Sequence, residues 1–325
     1  MKGKVWIGVG VSLVCLWLAF RGVEIDQVVR SFRDVRPLYL IPALLLAVFV
    51  RFFVTAVRWQ VLLYPIKRVS LHRLFGVTMI GFMANNVLPA RMGEFVRAYA
   101  LGKTEHLSKS LSFATIVVER IFDGLTLLLF LLLSVFFVSF PAWLTRAAYA
   151  SLVLYMGVLG GLFWLWSGRS FGPLARLGLF VPSRLRERAQ GLLASFTLGL
   201  DILGHGWALV AVAALSILDW LVIVASLHVT FLAFDLSLPP IAAFVVTVVV
   251  ALGVTLPSSP GFVGTYQFFT VVGLGFFSVP DSVSFSVSLV SHAIQYVPIT
   301  VIGLIYFWRE NLSFRELNAP VEATG

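Results

Sequence analysis

The chain has 325 residues, 59% of them hydrophobic and only 12% charged, with a mean hydropathy of +0.97. A soluble protein of this size carries about 25% charged residues, so the composition excludes a soluble globular protein and predicts an integral membrane protein. The net charge of +9 comes without a basic run interleaved with aromatics, which argues against a nucleic-acid partner. It reads instead as cytoplasmic loop bias and attraction to anionic lipid head groups. The single cysteine, Cys15, excludes an internal disulfide and a cysteine metal cluster; no metal site and no cofactor are expected.

A helix needs about 20 mostly apolar residues to cross the hydrocarbon core. Six segments meet or approach this: 5–20, 38–57, 113–138, 147–166, 207–233 and 284–307. The first follows Lys2-Gly3-Lys4 and has the shape of a signal peptide, but Ala19-Phe20-Arg21-Gly22 is a poor cleavage site, so an uncleaved first span is expected. Two further apolar regions are interrupted. Residues 72–100 contain Asn85-Asn86 and Pro89; residues 241–277 contain Leu256-Pro257-Ser258-Ser259-Pro260-Gly261 and Gly264. Each predicts a pair of half-length helices around a break. The stretch 171–200 mixes Arg176, Arg184, Arg186 and Arg188 with leucines, and reads either as an amphipathic segment on the cytoplasmic lipid surface or as a simple basic loop. Residues 311–325 form a short polar tail.

The two breaks resemble each other, Leu88-Pro89 before Gly93-Glu94 and Leu256-Pro257 before Gly261 and Gln267. The expected architecture is therefore one all-α polytopic domain, residues 1–310. It has about six full transmembrane helices and two re-entrant broken-helix hairpins, arranged as repeats over about 38–138 and 207–307. With both hairpins re-entrant and both termini cytoplasmic, seventeen Lys and Arg fall inside and five outside, as the positive-inside rule requires. Three full spans between the repeats invert the second relative to the first. Inverted repeats with broken helices at the midplane are transporter architecture. The expected location is the inner (cytoplasmic) membrane.

Between Asn85 and Asp123 lies a dense polar set: Asn85, Asn86, Arg91, Glu94, Arg97, Glu119, Arg120 and Asp123. Ionisable groups at membrane depth persist where they face a protein interior or a wet cavity. Glu119 and Asp123 share a helix face, as do Glu94 and Arg97. Two roles are open: a buried ion-pair network pinning the hairpin, or a head-group site. In the second, Arg91 and Arg97 bind lipid phosphate through their planar forks, and Glu94, Glu119 or Asp123 handles a cation or protons. Asn85 and Asn86 either cap freed backbone or bind ligand. Ser258 and Ser259 have the same two options, and the half-helix after Gly261 offers a positive end to an anion. His292 and Gln295, three apart in the last span, either join helices or line the same cavity as the partners of Glu119-Arg120. Arg51 and Arg58 share a face; Arg58 is expected to snorkel to the interface and Arg51 to lie deeper. Gly157 and Gly161 suggest close helix packing. No Gly-x-Ser-x-Gly, Gly-Lys-Ser/Thr loop, His-Glu-x-x-His or Asp-x-Asp motif is present, so an enzyme is not expected.

Three motifs occur in order: Asn-x-x-Leu-Pro-Ala-Arg-x-Gly-Glu-x-x-Arg (Asn85 to Arg97), Glu-Arg-x-x-Asp (Glu119 to Asp123) and Pro-Ser-x-Pro-Gly-x-x-Gly (Pro257 to Gly264). Together they resemble the transmembrane domain of lysylphosphatidylglycerol synthase/flippase proteins over roughly residues 5–310. Two-domain members make an aminoacylated lipid with a cytoplasmic synthase domain and flip it with this membrane domain. With no synthase domain in these 325 residues, lysyl transfer is not expected. Stand-alone relatives have been linked to hopanoid and polyprenyl-linked glycolipid handling, so the resemblance implies lipid translocation as a class. Phe262-Val263-Gly264 is bulkier than the Gly-Leu-Gly common in the family. Gln267 stands where an acidic residue is often seen, which argues against a symmetric pair of carboxylates. The expected function is a flippase-like transporter of a phospholipid or polyprenyl/glycolipid head group, with anionic membrane lipids as partners. The alternative is an accessory module for a separate lipid-modifying enzyme.

Overall fold

The computed structural model describes residues 2–88, 91–138, 142–167 and 183–313, and among them there is no strand. With water excluded, a chain this apolar satisfies its backbone polar groups within helices. The helices are α1 (Lys2–Phe20), α2 (Ile25–Arg33), α3 (Pro37–Leu63), α4 (Leu71–Val87), α5 (Gly93–Glu105), α6 (Lys109–Val135), α7 (Ala142–Trp166), α8 (Ser183–Gly199), α9 (Gly206–Ala233), α10 (Pro240–Gly253), α11 (Thr265–Gly275) and α12 (Asp281–Arg309).

Among the described residues, four helical stretches are long and apolar enough to cross a membrane: α3, Tyr149–Trp166 of α7, α9 and α12. A fifth exists only if α1 and α2 count together, and these bend by 82° at Arg21–Glu24. Of the six full spans expected from the sequence, four or five meet this test of length and composition among the described residues. The expected span at 113–138 lies in α6, which is 27 residues long but carries Glu119, Arg120 and Asp123 within its apolar part. Between α1 and α3 lies the helix α2, with Asp26 in its first turn and Arg30 and Arg33 in its last, an arrangement that suits the helix dipole. Of the 171–200 segment, residues 183–199 form α8, which packs on α6 through Ser110 Oγ donating to Leu192 O at 2.9 Å; its first part lies outside the described residues, as does the tail from 314 on.

Both interrupted regions are hairpins. In the first, Arg73 near the start of α4 pairs with Glu105 at the end of α5 (3.1 Å), and Gly81 lies against Gly93 at the crossing. In the second, Gly253 and Val246 of α10 face Phe269 and Gly273 of α11 in antiparallel order. No arm exceeds 17 residues, which is about 26 Å of helix against a hydrocarbon core of about 30 Å. The first hairpin opens beside the C-terminal end of α12, where Arg73 also meets Glu310 at 3.3 Å. The second opens toward the N-terminal end of α12, which follows α11 after five residues. Their tips meet inside: Gly261 abuts Asn86 and Tyr296, and the Arg91 guanidinium lies 4.9 Å from the Phe262 ring centre.

Gly264 fixes the second tip. Its φ is +89°, and a Cβ there would lie 2.2 Å from the Ser12 carbonyl oxygen of α1. Gly264→Ala is expected to cost at least about 1–3 kcal/mol, read as a lowered Tm in detergent. Gly157→Ala is the control. Nothing lies within 4 Å of a Cβ at Gly157 or at Gly161, so neither makes the close contact within this chain that their spacing suggested.

Candidate functional site

At the meeting of the tips lies a buried ion network. Arg97 donates to both carboxylate oxygens of Glu119, at 2.7 and 2.9 Å, and its guanidinium sits 3.8 Å over the Trp59 ring. Trp59 is held in turn by Nε1 donating to Thr115 (3.0 Å). Arg58 reaches Asp123 (2.5 Å), Glu119 (3.3 Å) and Ser216 Oγ (2.9 Å). Arg120 bonds the adjacent Glu119 and reaches Asp123 at 3.0 Å. On α9, Asp219 accepts from Thr55 (2.7 Å) and lies 3.8 Å from Arg51. Arg58, Arg97 and Glu119 are at most 3% exposed, so the Coulomb attraction acts with little screening by water. Among the described residues, four guanidiniums (Arg51, Arg58, Arg97, Arg120) meet three carboxylates (Glu119, Asp123, Asp219).

Beside the network is a cavity of about 290 Å³. Arg51, Arg91 and Arg120 line it, and no carboxylate does among the described residues. Its other wall carries Tyr266, His292, Gln295 and Tyr296. The Tyr266 and His292 rings stack at 4.5 Å, and Gln295 links Arg51 (3.5 Å) to the Tyr266 hydroxyl (3.3 Å). Thr247 also lines the cavity; its hydroxyl is buried and has no hydrogen-bond partner among the described residues.

The sequence-predicted residues separate into groups. Asn86, Arg91, Arg120, His292 and Gln295 line the cavity. Asn86 is also tied to α12, donating to Thr300 Oγ1 (2.9 Å) and Tyr296 O (3.3 Å). Asn85 caps α5, accepting from Gly93 N–H at 2.7 Å. Gln267 caps α11, accepting from Gly264 N–H at 2.8 Å, and meets His292 at 3.0 Å. Arg97, Glu119 and Asp123 sit behind the cavity wall in the network. Glu94 does not pair with Arg97; it turns to Asn85 and to a separate apolar groove. Ser258 and Ser259 face α1, where Ser259 N–H donates to Ser12 Oγ (2.8 Å), and neither lines the cavity. Arg58 does not snorkel: at 1% exposure it is the hub between Glu119 and Asp123. The site residues missing from the sequence-based set are Arg51, Arg58, Asp219, Thr247 and Tyr266. The signal for two of them was available, since Arg51 and Asp219 are lone charges inside otherwise apolar spans.

Residues 5–303 match the model of the lysylphosphatidylglycerol synthase TM region. The chain belongs to this family. Its curated relatives include two UPF0104 membrane proteins. That of Methanocaldococcus jannaschii is 22% identical over 305 residues, covering 87% of this chain and 88% of that protein. That of Methanothermobacter thermautotrophicus is 26% identical over 324 residues, covering 93% and 94%. A third relative is the glycosyltransferase AglD of Haloferax volcanii, 27% identical over 340 residues, covering 92% of this chain and 53% of that protein. No solved structure matches. Family and helices together make this a multi-pass membrane protein. The family match takes in both hairpins, the ion network and all of the cavity wall.

Proposed function

We propose that this family member is a flippase-like lipid transporter of the inner membrane that carries an anionic head group through the central cavity. One observation carries this reading: among the described residues, three arginines and no carboxylate line the cavity. Arg51, Arg91 and Arg120 contact the phosphate, each offering planar donors that suit it, while Asp219 holds Arg51 in place and Glu119 and Asp123 hold Arg120. Ser258, Ser259 and Arg97, first considered for phosphate, are replaced in this role by Arg51 and Arg120. The two hairpins are re-entrant and enter from opposite faces as inverted repeats, with both termini cytoplasmic. The opposite openings of the hairpins beside the two ends of α12 support this arrangement, and so does their length. Alternating access then exposes the cavity to each face in turn.

The test is transbilayer movement in liposomes of defined composition containing the purified protein. Labelled phosphatidylglycerol and a labelled polyprenyl phosphate are expected to move at least tenfold faster than labelled phosphatidylcholine. Equal rates for all three, or no movement, would sink the proposal. A second reading, an accessory membrane module for a separate lipid-modifying enzyme, draws on the glycosyltransferase relative, in which this chain matches only 53% of the length. A stoichiometric enzyme co-purifying with a protein that moves no lipid is the result that favours it.

A further inference from the structure

Arg120 belongs to two spaces. It lines the polar cavity and also a second space of about 400 Å³ between α5, α6 and α7. The walls of this groove are apolar, with Phe95, Phe113, Ile121, Leu154 and Val158 among them, and among the described residues its charged members are Arg120 and Glu94. Phe95 and Phe113 stack at 4.9 Å along one side. The α7 wall is barely embedded in the rest of the molecule: 6% of its apolar window is buried, and Leu154 and Val158 are 64% and 40% exposed. A soluble protein would hide such a face; here it meets hydrocarbon.

We infer that the α5–α6–α7 groove seats a hydrocarbon chain of the transported lipid, with Arg120 at its head as the point where the phosphate passes from the groove into the cavity. This rests on the transport reading above for its direction but not for the binding itself. An apolar trough with a guanidinium in its wall matches a lipid's own layout of chain and anionic phosphate, and the same side chain also lines the cavity. Bulk lipid offers the same hydrocarbon to every exposed helix, so what separates a seat from the general annulus is this guanidinium. Phosphatidylcholine masks its phosphate with its own choline cation, whereas phosphatidylglycerol leaves the phosphate free to meet Arg120.

The experiment is photocrosslinking in liposomes with phosphatidylglycerol and phosphatidylcholine probes carrying a diazirine near the middle of one chain, followed by peptide mapping. The phosphatidylglycerol probe is expected to label α5, α6 and α7 at least fivefold above α1 and α12. The phosphatidylcholine probe is expected to label all lipid-facing helices alike. Val158→Trp, which fills the groove from its exposed wall without touching the cavity or its charges, should lower the groove labelling at least fivefold. Leu154→Trp, at a still more exposed position, gives an independent reading if Val158→Trp proves unstable. Labelling spread evenly for both probes, or unchanged in the two tryptophan variants, would overturn the inference. Groove-confined labelling by a protein that moves no lipid would uphold the seat and remove the transport reading, so the two fail separately.

Discussion

Glu119→Gln is expected to lower the stability of the protein by about 3–5 kcal/mol, the range for removing one partner of a buried ion pair. Glutamine keeps the shape and one acceptor, so no cavity opens; what is lost is the negative charge that Arg58, Arg97 and Arg120 all approach. The side chain is fully buried, and water cannot reach the equally buried Arg58 and Arg97 to make up for the lost counter-charge; Arg120, whose side chain is 38% exposed, keeps Asp123. The surface pair Arg36–Asp235, with side chains 55% and 67% exposed, supplies the comparison. Arg36→Ala should change stability by about 1 kcal/mol or less. Thermal and denaturant unfolding in one detergent, run side by side, measures both. Equal and small effects would mean that the network contributes nothing to holding the hairpin.

Arg91→Ala has the opposite profile. It should reduce transport of an anionic lipid about 10- to 100-fold, the loss of one charge-assisted contact of about 1.5–3 kcal/mol, and leave Tm nearly unchanged. Arg91 lies at the tip of the first hairpin, with Phe262 as its neighbour and no ion pair among the described residues. Its φ of +52° is a conformation alanine bears no more easily than arginine, so the substitution leaves the local strain as it was. Arg91→Lys should recover part of the rate, because it restores the charge but not the bidentate fork. Arg97→Ala should instead unfold the site, since it strips Glu119 of its bidentate partner. A fall in Tm for Arg91→Ala as large as for Arg97→Ala would place Arg91 in the framework rather than at the ligand.

Much of this was legible in the sequence. The two breaks, the helices around them and the convergence of charges near Glu119 follow from hydropathy interrupted by Pro, Gly and ionisable residues, because each of these is costly in a membrane and so stands out. What sequence could not supply was the sorting of the charges. Arg91 and Arg97 sit six residues apart in one motif, yet one faces the cavity and the other is locked behind its wall. That division depends on α6 presenting Glu119 to Arg97, a tertiary fact. Arg58 was misread for a related reason. Its place near the end of an apolar run suggests escape to the interface, but Ser216, Asp123 and Glu119 surround it from two other helices. Ser258 and Ser259 carry a plausible anion-binding composition, and only the packing of their backbone against α1 shows that they lie away from the cavity.

The ion network also bears on how the chain is made. Arg51 lies near the middle of α3, and an arginine there costs about 2.5–3.5 kcal/mol on an insertion scale. Its carboxylate partner, Asp219, is translated 168 residues later, and those of Arg58, at 119 and 123, more than sixty residues later. During synthesis α3 is therefore an orphan. It carries charges without counter-charges until α6 emerges, and it is not fully neutralised until α9 does. A nascent chain arrested before residue 119 should leave α3 open to extraction and to membrane quality control, whereas one arrested after 233 should hold it fast. The same pairs that shape the finished site thus set the order in which its helices can settle.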